Sequence, residues 1–138
     1  MPTTLNRDQL AQLSDQTIES AFEVHRALGP GLSKAPYLDG LCLALGKRGV
    51  PHRRQVWLPD HYKNLTLSFG HSLDLLVGDA VIVDVLVEDA VTPEHEARML
   101  EYLRISGRRL GLLINFNAHS LRDGLKRLYY DNALPAAC

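Results

Sequence analysis

Residues 74–88 read DLLVGDAVIVDVLVE: two apolar runs, each holding one aspartate, joined by Gly78-Asp79-Ala80. The two runs read as strands, and the glycine between them marks a hairpin. An ionised carboxylate inside such a run costs several kcal/mol unless a partner, a hydrogen bond or a metal compensates it. The loop length decides what the two acids do, because side chains alternate across a strand. A two-residue Gly78-Asp79 turn sets Asp74 opposite Val83 and sends Asp84 to the other face. A three-residue Gly78-Asp79-Ala80 loop sets Asp74 opposite Asp84. Facing carboxylates repel unless a cation lies between them or one keeps its proton, so the second register is that of a metal site.

Outward from the hairpin, helices and strands follow in a mixed order. Apolar residues Leu10, Leu13, Ile18, Ala21, Phe22, His25 and Leu28 recur at helical spacing, which predicts a helix over 6–28 that Gly29-Pro30-Gly31 stops. A second helix is expected over 37–48, with Leu38, Leu41, Cys42 and Leu45 as its buried stripe and Pro36 at its opening. Strands are expected over 53–58, 65–77 and 81–88. Thr92-Pro93-Glu94 then opens a helix that ends at Gly107. Leu110 to Phe116, LGLLINF, is a continuous apolar run of the kind found in a strand covered on both faces. Ser120 is expected to cap a last helix through Leu121, Leu125, Leu128 and Tyr129. The reading is one α/β domain over residues 1–138, with about 132–138 as a flexible tail.

The bulk numbers narrow the function. A chain of 138 residues buries one core without staples. A formal net charge of −1 gives no global basic field for nucleic acid or an anionic membrane. The two cysteines, Cys42 and Cys138, lack metal-type spacing, which leads to the expectation of a reducing, cytoplasmic compartment. No run approaches the roughly 18 apolar residues of a membrane span, and the opening residues lack a basic start followed by an apolar stretch, so neither membrane insertion nor export is expected.

Three stretches carry a resemblance: EVHRALGPGLSKAPYLDGL, HSLDLLVGDAVIVDVLVED and VTPEHEARMLEYLRISGRRLGLLINFN. Together they resemble the GxxExxY proteins, a branch of the PD-(D/E)XK nuclease superfamily, over about residues 10–130. The resemblance implies a restriction-endonuclease-like fold: a mixed four-stranded sheet flanked by helices in the order αβββαβ. It also implies a site built from an aspartate on the second strand, a Glu-x-Lys on the third and an acid from the first helical region. In such a site the acids hold divalent ions, usually magnesium, that activate water, while the lysine stabilises the transition state.

Carried over by position, much of that site has changed. Asp74 matches the second-strand aspartate. Asp84 stands where the glutamate is expected, one methylene shorter, and Leu86 occupies the lysine position. The GxxExxY segment reads Gly31-Leu32-Ser33-Lys34-Ala35-Pro36-Tyr37, so its glycine and tyrosine remain while its acid is Lys34. A glutamine common in the family's next helix is replaced by Arg98. Losing one transition-state charge contact costs ~10²–10³ in rate. The expectation is that Lys34 or Arg98 pairs with Asp74 and Asp84, placing a built-in cation where the metal would sit. The alternative is that Lys34 is a migrated catalytic lysine.

The other candidates read as structural. His95 and Glu96 lack a second histidine at metal spacing, since Met99 stands there, so a helix-end role is expected. His25 is expected to be a hydrogen-bonded core histidine. His52, Arg53, Arg54 and Trp57 form a basic-aromatic cluster at a strand, and Arg104, Arg108 and Arg109 form another near a helix end. The functional expectation is a catalytically inactive nuclease-like protein that serves as a structural, homo-oligomeric or binding unit without a cofactor. Leu65–Phe69 and Tyr129-Tyr130 are its candidate contact surfaces. The alternatives are a magnesium-dependent DNA nuclease using Asp74 and Asp84, and a nucleic-acid binder that does not cleave.

Overall fold

The structure is a computed structural model and describes residues 5–58, 61–62, 65–66 and 71–130. Helix α1 (Arg7–Leu28) starts at a reciprocal cap, in which the Asn6 side chain accepts from the Gln9 amide and the Gln9 side chain accepts from the Asn6 amide. It stops at Gly29, whose φ of 69° suits glycine and whose N–H closes onto His25 O. Its most buried residues are the small ones, Ser14, Thr17, Ser20 and Ala21, so the helix lies close against its neighbours. Thr17 and Ser20 donate back to the carbonyls of Leu13 and Gln16, which satisfies their hydroxyls in place. Leu28, expected inside, is 40% exposed.

Helix α2 (Lys34–Lys47) begins three residues before the expected start, with Pro36 in its first turn, where the missing N–H costs no helical bond. The strands are β1 (His52–Leu58), β2 (His61–Tyr62), β3 (Leu65–Thr66), β4 (His71–Val77), β5 (Val81–Leu86), β6 (Leu110–Asn115) and β7 (Leu125–Tyr129), with α3 (Pro93–Ser106) between β5 and β6. The strand expected over 65–77 is therefore two pieces: β3 pairs with β2, and β4 joins the main sheet. Residues 67–70, most of the expected Leu65–Phe69 surface, lie outside the described residues, as do the expected tail and Cys138.

The main sheet has the order β1-β4-β5-β6-β7, parallel only between β5 and β6. The αβββαβ core with its four mixed strands is present, and β7 adds a fifth. Here the sequence reading is corrected. The segment expected to form a last helix is a short 3-10 turn (Leu121–Gly124) followed by β7, which pairs along the free edge of β6 from Ile114↔Leu125 to Leu110↔Tyr129. Edge pairing with the preceding strand overrode the local helical spacing of Leu121, Leu125 and Leu128. Gly124 also lies so close to the Asn115 carbonyl that no β-carbon fits there.

Strands β5 and β6 are buried along their whole length, because helices cover both faces. Leu75, Val83, Val85, Leu112 and Ile114 face α1 and α2; Leu76, Ile82, Leu86 and Leu113 face Met99, Tyr102 and Leu103 of α3. Among the described residues no helix is long and apolar enough to cross a membrane.

Candidate functional site

The β4–β5 hairpin takes the three-residue register: Val77↔Val81, Leu76↔Ile82 and Leu75↔Val83 pair across Gly78-Asp79-Ala80. One step beyond the last of these pairs, Asp74 lies opposite Asp84. The ladder between β1 and β4 skips the same place, passing from Arg54↔Leu75 to Val56↔Leu73, and Gln55 there has a φ of 51°. The strands part at this point, and the Asp74 side chain fills the gap by accepting from Val85 N at 2.8 Å.

The two carboxyls face the same side of the hairpin and are enclosed, with Asp74 14% and Asp84 10% exposed at the side chain. Each also receives a cation. Lys34 Nζ, from the first turn of α2, lies 2.7 Å from Asp74 Oδ1; Arg98 Nη2, from α3, lies 3.2 Å from Asp84 Oδ2. Burial pushes the Asp84 carboxyl up to about 7, and the hydrogen bond and charge of Asp74 push the same way, against the opposing pull of Arg98 and Lys34. So Asp84 holds its proton well into the neutral range, which is how two acids share one enclosed place. Leu86 is 5% exposed and packs against α3 in the apolar cluster with Met99 and Tyr102.

The donor set does not fit a divalent metal. Magnesium wants about six oxygens in octahedral array. Here two carboxyls remain, each is taken by a nitrogen cation, and the position of the third acid is Lys34. Among the described residues no group of three or more His, Cys, Asp or Glu is placed to hold an ion.

The Gly31–Tyr37 segment has a structural task that is independent of chemistry. Tyr37 is fully buried, stacked on Phe116 with ring centroids 4.7 Å apart. Its hydroxyl accepts from Leu32 N at 3.1 Å and donates to Gly29 O. This pins the Gly29–Leu32 bend, and the bend delivers Lys34 to Asp74. Tyr37→Phe is expected to cost ~1–3 kcal/mol in a denaturation midpoint, because Leu32 N loses its partner. Unchanged stability would refute the anchoring role.

Two contributors were missed from sequence. Asn115, 2% exposed at the end of β6, accepts from Glu88 N and Asn117 N and donates to Glu88 O, tying the segment after β5 to β6. An amide inside the apolar run LGLLINF was its signal. Tyr102 is buried close enough to Arg98, Asp84 and Asp74 to feel their charges, and burial first of all raises its hydroxyl pKa.

The remaining sequence candidates lie elsewhere. His95 Nδ1 accepts from Thr92 N at 2.9 Å and completes the cap of α3. His25 Nε2 bonds Ala118 O at 2.7 Å. Arg54 pairs with Asp39, Arg53 and Arg108 with Asp79, and Arg104 with Glu101, so these arginines are matched by acids rather than gathered into a free basic track. Arg109 donates to Leu5 O.

Comparison with known proteins adds three findings. A family model described as the PD-(D/E)XK nuclease superfamily matches residues 11–128. A crystal structure of an alkaline exonuclease from Laribacter hongkongensis superposes with a TM-score of 0.50 at 17% identity, covering 99% of this chain and 76% of that one, a likeness of fold. The comparison with curated protein sequences gave no match.

Proposed function

We propose a function from one premise: the chain belongs to the PD-(D/E)XK nuclease superfamily. Within it, this chain is a nuclease-fold protein that does not cut phosphodiesters and serves as a structural, self-assembling unit. One observation carries the first half. The two acids that would hold the metal are each paired with a cation of the chain itself, Asp74 with Lys34 at 2.7 Å and Asp84 with Arg98 at 3.2 Å. The buried Leu86 supports it, since an alkyl chain neither polarises water nor stabilises a developing negative charge. Lys34 as a migrated catalytic lysine fits less well, because its ammonium is spent on Asp74, the acid a metal would need.

The test is cleavage of single- and double-stranded DNA with magnesium or manganese, comparing the native chain with Asp74→Ala. The expected result is no cleavage above background in either. Cleavage by the native chain that Asp74→Ala abolishes would sink the reading.

A further inference from the structure

We infer that the outer face of α2 is a contact surface for a second copy of this chain, the two helices packing antiparallel about a two-fold axis near Leu43. This rests on, and sharpens, the assembly half of the proposed function; it does not depend on whether the chain cleaves nucleic acid.

Helix α2 spends Tyr37, Leu38, Leu41 and Leu45 on the core. Leu43 points the other way and is 71% exposed, more than any other large hydrophobic side chain among the described residues. It forms a ridge between two grooves. One, of about 350 Å³, runs between α1 and α2, lined by Ala27, Leu28, Gly40 and Ala44 together with the ion-paired Glu23 and Lys47. The other, of about 640 Å³, faces β1 beside Gly46. Leu28 and Leu32, at 40% and 39% exposure, widen the apolar area at the same helical hairpin. A ridge beside a groove floored by glycine and alanine is half of a ridges-into-grooves contact. A two-fold axis supplies the other half, because each Leu43 then enters the groove of the other copy.

The charges select the partner and its direction. Asp39 and Lys47 flank Leu43 at four residues on either side, with side chains 60% and 72% exposed. An antiparallel pair centred on Leu43 sets Asp39 of each copy against Lys47 of the other, twice. A parallel pair would set like charge on like charge. Within one copy Asp39 already bonds Arg54 and Lys47 already bonds Glu23, so the antiparallel contact extends both pairs into a chain of alternating sign. The helix dipoles also oppose favourably in this arrangement.

The experiment is light scattering of the full chain across a concentration series, with unfolding curves as a check on folding. The native chain is expected to form a dimer, and Leu43→Glu to be monomeric at unchanged stability, since Leu43 is outside the core. Asp39→Lys is expected to weaken the dimer at least ~10-fold, and adding Lys47→Asp to restore it. A native chain that stays monomeric overturns the inference, as does an oligomer indifferent to Leu43→Glu. Failure of the charge swap to restore the dimer overturns the antiparallel geometry. None of these outcomes bears on the cleavage assay, so the two readings fail separately.

Discussion

Asp84→Asn is expected to flatten the pH dependence of stability between 3.8 and about 7, the ordinary and folded values of this carboxyl. The folded pKa is raised, so the folded state keeps a proton that the unfolded chain releases once the pH passes 3.8. The contribution of Asp84 is therefore fully present below 3.8, declines as pH rises, and is lost above about 7. Each unit corresponds to about 1.4 kcal/mol, so the loss is on the order of a few kcal/mol for a side chain this enclosed. Asparagine keeps the shape and a hydrogen bond toward Asp74 and has no proton to release. The variant should match the native chain in acid and exceed it in stability above neutrality. Denaturation midpoints from below pH 3.8 to above pH 7 provide the check. Parallel profiles for the two proteins would mean that the acid pair is not coupled as described.

The second large effect is a gain of metal dependence. Lys34→Glu combined with Arg98→Gln replaces both protein cations and adds a third acid beside Asp74 and Asp84. Without metal, three carboxyls would crowd one enclosed place, so the double variant should be less stable than the native chain at neutral pH. Manganese would relieve that repulsion. An ion that binds only the folded state stabilises it by about 2.7 kcal/mol at a hundred times its dissociation constant. The native chain should show no such response, because Lys34 and Arg98 already occupy the acids. Thermal unfolding with and without manganese separates the cases. A native chain stabilised as much as the variant would contradict the ion-pair description. Leu86 is unchanged in this variant, so the test reads binding apart from cleavage.

Much of this was legible in the sequence, and the exceptions have physical causes. The glycine turn and the two apolar runs located the hairpin, but alternation alone left both registers open. The paired strands chose the three-residue loop, and with it a shared face for Asp74 and Asp84. Lys34 and Arg98 were named from position, and the fold brings both to the acids across long separations in sequence. The last segment misled because Leu121, Leu125 and Leu128 fit a helix locally, whereas the deciding interaction is the open edge of β6, a partner that local spacing does not register. Asn115 lies in a continuous apolar run, where its spacing does not set it apart from the core residues around it. In α1 the helical spacing of the large apolar residues is what the sequence displays, yet the most buried positions include Thr17 and Ser20, whose hydroxyls are absorbed by the helix backbone.

The carboxylate that stands in for a missing rung between β4 and β5 has a bearing on ancestry. Val85 N depends on Asp74 for its acceptor, so a chain that abandoned hydrolysis would still suffer from losing this aspartate. Its persistence in any descendant thus testifies to architecture, and a census of surviving acids would overcount the members that cut. Position 86, where nothing in the scaffold requires an amine, is the more honest witness to whether chemistry was kept.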